Sequence, residues 1–551
     1  MGAGELVELA IAAALVLFTV LWRPWIEPYG RKLALRTGWC MLLLAVLPVV
    51  LRLLLLRHHP VPSPDVYDEF GHLLVADTLR HFRLANPAHP MYRVFETFFV
   101  LQEPTHSSIY PIGQGLLLAI GRMIFGYSWA GVLLSTAALC ALCYWMLRGW
   151  TTPNWALAGG MIAVFEFGPL NQWMNSYWGG SLAAAAGCLV FGALPRLRDP
   201  QLQERHRVYA GVCLGAGLGI NLITRPYESI FLLVSVILFL IPTLKSRERI
   251  LTIGRGVIAA IIVTLPAVGV TFLQNKRVTG NWTTLPYQLS QYQYGVPASL
   301  TFQPDPRPHR DLTPEQQLEY KAQLSFRGED HETLRNYLLR LEYRVRFYRF
   351  FFLPALFAAL PFFLFALKER RFQWVVLTLV IFAAGINFFP AFQFHYLAAV
   401  TCLFVLVSVT GLAQLNRLSQ EAARLLLFLC ILHFAFWYTV HLFDQQTFSI
   451  ALRKYETWDA LNHGNPERRI EVNRELAKTP GKLLVFVRYS PQHIFQDEWV
   501  YNDADIDAAR IVWARDLGPE EDAKLQAYYP DRTALLLEPD GRAPGLVPYQ
   551  P

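Results

Sequence analysis

Three carboxylate side chains stand together directly after a long hydrophobic segment: Asp65, Asp68 and Glu69. The hydrophobic segment covers 39–56, so these groups are expected at a membrane surface, where acidic side chains are costly unless solvated or functional. An ionised aspartate there can take a proton from an acceptor while the substrate stays anchored in the bilayer. Asp68 also suits the N-cap of the amphipathic stretch that it opens, and the two interpretations are compatible.

Arg225 is the outstanding basic residue in the short segments between the later hydrophobic runs. Pro226 follows it, so the helix is expected to break or bend there and to free backbone groups near the charge. A guanidinium in this place can hold a phosphate through two parallel hydrogen bonds. The structural alternative is a helix-end arginine that extends toward lipid head groups.

Aromatic and histidine side chains in the first outer loop and in the later short segments predict the walls of a pocket. Aromatic walls with a few placed polar groups suit a sugar or a lipid head group. For the two histidines of this set a purely structural role stays open. The expected pocket residues are His72, Tyr110, Tyr177, Trp178, Tyr227, His395 and Tyr396.

The whole chain is too apolar for an ordinary soluble protein, because 54% of its 551 residues are hydrophobic and 17% are charged. Repeated apolar runs predict a mainly α, polytopic membrane protein with about 12–13 transmembrane helices plus interfacial helices. The net charge of +7 comes from basic clusters between these runs, which favours membrane topology signals over a nucleic-acid surface. All seven cysteines lie in hydrophobic runs, which argues against a disulfide framework or a cysteine-based zinc site.

The basic clusters also predict the orientation of the crossings. About twelve crossings that start outside place every cluster on the cytoplasmic side and the C-terminus outside. The segment 111–126 is then expected to be interfacial or re-entrant, and the first run a retained helix. The predicted crossings are 5–22, 38–56, 128–147, 155–171, 181–195, 208–224, 228–244, 256–273, 347–367, 373–389, 391–412 and 425–442.

The chain is expected to divide into a transmembrane module, 1–442, and a soluble extracytoplasmic α/β domain, 443–551. The module carries two long outer loops, 57–127 and 274–346. Within the tail, KLLVFVRY, ARIVWARD and TALLLEP have the composition of strands, and PEEDAKLQAYY has that of a helix.

Several of these segments resemble a known group of membrane enzymes. The Asp68-Glu69 pair, the stretches DEFGHLLVADTLRHFRLANP and YPIGQGLLLAIG, and the turns NSYWGG and TRPYE resemble the membrane glycosyltransferases of the C-type fold. The match is to bacterial proteins similar to glycosyltransferase family 39, which are related to protein O-mannosyltransferases and lipid A aminoarabinose transferases. The resemblance covers 33–442, and the tail looks like the terminal domain of a bacterial subgroup.

The resemblance implies a mannosyltransferase-like enzyme of the cell envelope that uses a polyprenyl-phosphate sugar donor and inverts the anomeric carbon. It assigns the general base to Asp68, with Glu69 shaping or charging the site, and a lipid, glycan or protein acceptor. Relatives often carry a further acidic residue in a later outer turn, which NSYWGG lacks, so a divalent metal ion stays open, with unknown ligands. The implied location is the bacterial inner membrane, with the active site and the tail on the periplasmic side.

Two other classes of function remain open at this point. A transporter or flippase for a lipid-linked saccharide usually keeps ionisable groups near the middle of the membrane and often shows inverted repeats. Here the polar residues gather toward one face, which favours an enzyme. An inactive sugar-binding scaffold, with the tail recruiting a partner, is the third possibility.

Overall fold

Hydrophobic helices form most of the chain, as the apolar runs predict. The computed structural model describes residues 14, 28–327, 332–442, 468–541 and 545–550. From residue 37 to the second long loop the helices are α1 (Thr37–Leu54), α2 (Tyr67–Arg80), α3 (Ile112–Phe125), α4 (Trp129–Leu147), α5 (Pro153–Phe167), α6 (Ser181–Arg198), α7 (Glu204–Thr224), α8 (Pro226–Leu240) and α9 (Arg247–Thr279). They are followed by α10 (Pro286–Tyr294), α11 (Pro314–Arg327), α12 (Leu334–Val345), α13 (Arg370–Ile386), α14 (Thr401–Leu418), α15 (Gln420–Leu442), α16 (Arg469–Lys478) and α17 (Pro519–Tyr528).

Seven helical segments of the described residues are long and apolar enough to cross a membrane. Each overlaps one of the predicted crossings, so the polytopic membrane fold is confirmed. The first predicted crossing, 5–22, lies outside the described residues apart from position 14. The seven segments are Thr37–Arg57, Trp129–Leu147, Glu204–Thr224, Pro226–Thr243, Arg247–Thr279, Phe394–Leu418 and Gln420–Leu442.

Three further predicted crossings, 155–171, 181–195 and 373–389, correspond to α5, α6 and α13. The segment 111–126 forms α3, which has 14 residues. At 1.5 Å per residue this helix is about 21 Å long, which is shorter than a hydrocarbon layer of about 30 Å. Its length favours the prediction that this segment does not cross, which remains a prediction.

The predicted crossing 347–367 is not one continuous α-helix. A succession of short 3₁₀ helices covers Arg346–Phe351, Pro354–Ala358 and Leu360–Lys368. Pro354 and Pro361 interrupt it, because proline lacks the amide hydrogen that a continuous helix requires.

Small residues let several of these helices touch through their backbones. A Cβ atom added at Gly187 of α6 would collide with the carbonyl oxygen of Ala399, and one at Gly211 of α7 would collide with Gly256 of α9. Such contacts are typical of helix packing in membranes. Ala399 belongs to the 3₁₀ segment Phe394–Val400, so the first contact holds that segment against α6.

The two long loops contribute most of the remaining elements near the site. The first, 57–127, contains α2, α3 and a small antiparallel sheet of β1 (Asn86–Pro87), β2 (Val100–Leu101) and β3 (Thr105–Ser108), in the order β1-β3-β2. The 33-residue helix α9 leads into the second loop. At about 50 Å it is longer than a bilayer core is thick, so its end projects beyond the membrane.

The tail folds around a four-stranded sheet, as the apolar strand segments predict. Its strands are β4 (Lys482–Val487), β5 (Ile511–Arg515), β6 (Arg532–Glu538) and β7 (Gly545–Pro548), in the order β5-β4-β6-β7. The strand β4 is parallel to β5 and β6, and β7 is antiparallel to β6. With α17 following β5, the small α/β architecture of the tail is confirmed.

The tail sheet is buried on both faces, which explains why β4 is apolar at consecutive positions. One face packs against α16 and Trp499. The other face buries Val94 and Phe95 of the first long loop together with Phe486. The tail therefore shares a hydrophobic core with that loop, and its assignment as a separate domain stays a prediction.

Candidate active site

The first turn of α2 carries both carboxylates of the Asp68-Glu69 pair. The helix begins at Tyr67 and its N-cap position is Val66, so the expectation that Asp68 caps the helix is wrong. Glu69 accepts hydrogen bonds at Oε2 from the amides of Asp65 at 2.7 Å and Val66 at 3.2 Å. A side chain at the third helical position reaches these amides more readily, because it points back along the helix. The capping function therefore belongs to Glu69.

Glu69 also joins α2 to the NSYWGG turn. Its Oε1 accepts a hydrogen bond from the amide of Tyr177 at 2.7 Å, and the side chain is 3% exposed. Burial raises the pKa of Glu69 to about 7, although the three amides favour the carboxylate form. Both carboxyl oxygens of Glu69 accept hydrogen bonds from backbone amides. This side chain therefore fixes the backbone beside Asp68.

Asp68 points into a group of polar and aromatic side chains from other elements. The Tyr110 hydroxyl donates to Asp68 Oδ1, and the Trp178 indole also donates to this carboxyl group. Burial raises the pKa of Asp68 to about 6, against these hydrogen bonds and the positive charge of Arg225. A carboxyl group with this pKa is ionised at neutral pH and can accept a proton.

The Tyr110 ring can approach Asp68 because it packs over Gly71, which has no side chain. A Cβ atom at Gly71 would lie 2.7 Å from the Tyr110 ring. The His72 ring packs on Tyr110 with a centroid distance of 4.4 Å, and His72 Nδ1 has no hydrogen-bond partner among the described residues. Burial, together with the charge of Arg225, lowers the pKa of His72 to about 3. His72 is therefore a neutral ring that supports Tyr110.

Arg225 lies between α7 and α8, where Pro226 begins the second helix. Its backbone carbonyl accepts hydrogen bonds from Ser229, which fixes the connection between the two helices. The guanidinium lies over the Tyr396 ring, 5.5 Å from its centroid. Among the described residues it has no hydrogen-bond or ion-pair partner, so this cation is available to an anionic ligand.

The 3₁₀ segment that contains His395 and Tyr396 completes this side of the site. The Trp178 and His395 rings meet edge to face at 5.2 Å, and His395 contacts Tyr396 at 4.8 Å. We call Trp178, Arg225, His395 and Tyr396 the helix side of the site. It contains the predicted residues of three separate segments, and the structure brings them together around Asp68.

Two of the predicted pocket residues have structural contacts instead. The Tyr177 hydroxyl donates to the carbonyl of Pro62 at 3.0 Å. The Tyr227 hydroxyl donates to the carbonyl of Gly385 at 2.8 Å, and its ring packs on Phe231. Both hydroxyls are therefore occupied by backbone groups, so these residues support the walls of the site.

Three residues near Asp68 have no counterpart among the predicted site residues: Tyr67, Glu319 and Tyr501. Glu319 on α11 is 2% exposed, accepts from Gln323 at 2.7 Å and is hydrogen-bonded to Tyr67. Burial, together with the nearby Asp68 carboxylate, raises the pKa of Glu319 to about 7. We call Tyr67, Glu319 and Tyr501 the loop side of the site.

The sequence of α11 contains only a weak indication that Glu319 is buried. Gln316 and Glu319 are both almost fully buried, and Gln323 is half-buried. A polar stripe at helical spacing is usually interpreted as a solvated face. Its burial becomes apparent only when the tail and the first long loop are packed against it.

The described residues contain no group of three or more His, Cys, Asp or Glu side chains that could hold a metal ion. Beside Asp68, Glu69 is occupied by amides and His72 lies behind Tyr110. The residues present therefore do not fit the divalent ion that the sequence left open, and we assign no step to one.

Similar folds occur among solved structures. ArnT from Cupriavidus metallidurans in the apo state matches with a TM-score of 0.52 and 13% identity, over 91% of this chain and 93% of ArnT. The same protein bound to undecaprenyl phosphate matches with a TM-score of 0.52 and 11% identity, over the same shares. The oligosaccharyltransferase AglB from Archaeoglobus fulgidus matches with a TM-score of 0.40 and 13% identity, over 93% of this chain and 70% of AglB.

No protein-family model matches the chain, and no curated protein matches it in sequence. At the identity to ArnT found here, the likeness shows the fold alone. ArnT is a lipid A aminoarabinose transferase, so the resemblance of this chain to the C-type fold is confirmed at the level of the fold.

Proposed function

We propose that this protein is a membrane glycosyltransferase that moves a sugar from a polyprenyl-phosphate donor to an acceptor, with Asp68 as the general base. The observation that carries the proposal is that one site contains Asp68 and, within range of its charge, the guanidinium of Arg225, which has no hydrogen-bond or ion-pair partner among the described residues. A general base and a cation that can bind a phosphate are the two groups that this reaction needs. The ArnT fold supports the same class of function.

Arg225 is the proposed binding group for the donor phosphate. A guanidinium can hold a phosphate with two parallel hydrogen bonds, and its charge stabilises the phosphate as it leaves. Tyr396 holds this cation in place from one side. The undecaprenyl phosphate found in one ArnT structure is the kind of lipid that we propose as the carrier.

The reaction is a direct displacement at the anomeric carbon. Asp68 takes the proton of an acceptor hydroxyl as the hydroxyl oxygen bonds to that carbon. The bond from the carbon to the phosphate oxygen breaks at the same time, and its electron pair leaves with the lipid phosphate beside Arg225. Because the acceptor and the phosphate lie on opposite faces of the carbon, the product is inverted.

The remaining predicted site residues have supporting roles in this proposal. Glu69 fixes the first turn of α2 and therefore the direction of Asp68. Tyr110 and Trp178 hydrogen-bond Asp68 and favour its ionised form. The other walls of the pocket are formed by His72, Tyr177, Tyr227, His395 and Tyr396.

We further propose a location and a domain arrangement. The site and the tail lie on the periplasmic side of a bacterial inner membrane, as the basic clusters predict. Residues 1–442 form the catalytic module, and 443–551 form a domain that covers it. Val94 and Phe95, which belong to the first long loop, are buried in the same hydrophobic core as residues of the tail sheet. This shared core supports the arrangement.

The test is sugar transfer by the purified full-length protein. Polyprenyl-phosphate donors with different labelled sugars are supplied in vesicles that contain membrane lipid, glycan and peptide acceptors. We expect Asp68→Asn to lower transfer by about 10²–10⁴-fold, because a positioned base contributes about that much. Binding of undecaprenyl phosphate by this variant should match the wild type.

Full activity of Asp68→Asn would overturn the assignment of the base. Movement of the intact donor across the vesicle membrane without sugar transfer would favour a transporter. The matched control is Asp65→Asn, whose carboxyl group lies in the same segment and makes no hydrogen bond to Tyr110 or Trp178 in the structure. It should keep its activity within about threefold.

A further inference from the structure

A buried arginine of the tail fastens three distant parts of the chain together. Arg515 donates to the carbonyl of Glu96 at 2.7 Å and to Glu315 Oε2 at 2.8 Å. It also forms a close ion pair with Glu498 and is only 3% exposed. The first long loop, α11 and the tail therefore meet at a single guanidinium, which is held by two carboxylates.

The contact with Glu315 determines where Glu319 lies. The two residues are one turn apart on α11, so they project from the same face of that helix. Glu319 accepts from Gln323 at 2.7 Å and is hydrogen-bonded to Tyr67, the neighbour of Asp68. An α11 anchored at Glu315 thus presents the Glu319 carboxyl group to the first turn of α2.

The tail also binds directly to the helix that carries Asp68. The Tyr501 ring stacks flat on Phe70, with a centroid distance of 4.2 Å and an angle of 2° between the rings. The amide of Ala504 donates to Asp77 Oδ2 at 2.9 Å. These contacts lie along α2, so the tail holds the helix that carries Asp68 and, through Arg515 and Glu315, the helix that carries Glu319.

We propose that the tail is a working part of the site, in which Arg515 is a positioning residue that holds Glu319 beside Asp68 as the second carboxyl group of the acceptor subsite. This inference rests on the proposed function and names its acceptor side. An acceptor hydroxyl between the two carboxyl groups can be oriented by Glu319 while Asp68 takes its proton. The ligand class is a hydroxyl-bearing acceptor without a negative charge at the reacting end, because the Asp68 carboxylate and the ionised form of Glu319 repel anions.

The test measures the protonation of Glu319 in the full-length protein. Dicyclohexylcarbodiimide reacts with protonated carboxyl groups in apolar surroundings, and peptide mass spectrometry separates the Glu319 product from those of Asp68 and Glu69. In the wild type we expect the labelling of Glu319 to be half-maximal near pH 7. The groups that face Glu319 are Asp68 and Tyr67 from α2 and Gln323 from its own helix.

Arg515→Met should release α11 and expose Glu319 to water. Its labelling midpoint should then fall toward the ordinary value of about 4.3, and labelling at pH 7 should drop by about tenfold or more. Glu315→Gln should lower the midpoint in the same direction while it leaves the Arg515–Glu498 pair of the tail intact. This second variant separates a loss of positioning from a loss of the tail fold.

Arg488→Met is the matched control. Arg488 is a half-exposed arginine that directly follows β4, and it is paired with Asp516 and Glu538. Its labelling curve should coincide with that of the wild type. Wild-type midpoints in both Arg515→Met and Glu315→Gln would overturn the proposal.

Carbodiimide labelling requires no sugar donor, so the result does not depend on whether transfer is observed. Where transfer is observed, Arg515→Met and Glu319→Gln should raise the KM for the acceptor by about tenfold and leave undecaprenyl phosphate binding unchanged. An effect of these variants on lipid binding alone would contradict an acceptor-side role.

Discussion

On the helix side of Asp68 the charged group is Arg225, a cation without a hydrogen-bond or ion-pair partner among the described residues. On the loop side it is Glu319, a buried carboxyl group whose helix is fastened through Glu315 to Arg515. The helix side therefore favours an anion, and the loop side disfavours one. In the proposed function, this difference places the lipid phosphate on the helix side and the acceptor on the loop side.

Among the residues that surround Asp68, removal of the Arg225 cation on the helix side should have the largest effect. Arg225→Ala should lower transfer by about 10²–10³-fold, because a charge placed at a developing anion contributes roughly that much. It should also weaken the binding of undecaprenyl phosphate, measured by a fluorescent lipid analogue. Arg225→Lys should recover part of the activity, since a point charge cannot form the two parallel bonds.

The control for this variant is Arg122→Ala, an exposed arginine of α3 that donates to the carbonyl of Gly126. It should bind the lipid as the wild type does. Unchanged lipid binding in Arg225→Ala would place the phosphate elsewhere and remove the contrast between the two sides.

Glu69→Gln should mainly lower the thermal stability of the protein and should affect the chemical step less. The amide of glutamine cannot accept from all three backbone groups that Glu69 binds, and a lost bond to a charged group costs about 1–3 kcal/mol. We expect a lower midpoint of thermal inactivation in detergent, with Glu475→Gln, an exposed carboxylate of α16, as the control. A loss of transfer without a loss of thermal stability would instead give Glu69 a direct role.

Tyr110→Phe should move the acidic limb of the pH–activity profile. Asp68 accepts a proton only when ionised, so activity should rise with pH through about 6. The Tyr110 hydroxyl favours the ionised form, so its removal should raise the pKa of Asp68 and shift the limb upward by about one unit. Measurement of transfer between pH 5 and 8 checks this, and a downward shift would contradict the hydrogen bond.

His72→Gln should have the smallest effect. Burial holds the pKa of His72 near 3, so its ring is neutral throughout the working range and carries no part of the pH dependence. The limb near pH 6 should stay within about 0.3 units of the wild type, because the proton that controls it belongs to Asp68. Loss of the limb in this variant would identify His72 as the titrating group.

The residues of the helix side could be predicted from the sequence, because they occupy short polar segments between long apolar runs. Arg225 before Pro226, Trp178 in NSYWGG and His395 are unusual for simple connections. The structure places all three around Asp68. Membrane helices limit where such segments lie, so local patterns carry information about the site.

The loop side could not be predicted in the same way. Glu319 lies in a polar loop helix, and Tyr501 lies in a tail segment without clear periodicity. Their proximity to Asp68 depends on long-range packing, such as the burial of Val94 and Phe95 in the tail core. The wrong expectation at the N-terminus of α2 has a local cause, because Glu69 at the third helical position, rather than Asp68, makes the capping bonds.

The contact between Asp77 and Ala504 joins residues that are 427 positions apart in the chain. During synthesis the helix that carries Asp68 emerges long before the segment that must pack on it. The loop side of the site therefore stays incomplete until the tail has been made and has folded. In the proposed function, a partly synthesised chain would have the helix side available to a lipid phosphate while it still lacked the place for an acceptor.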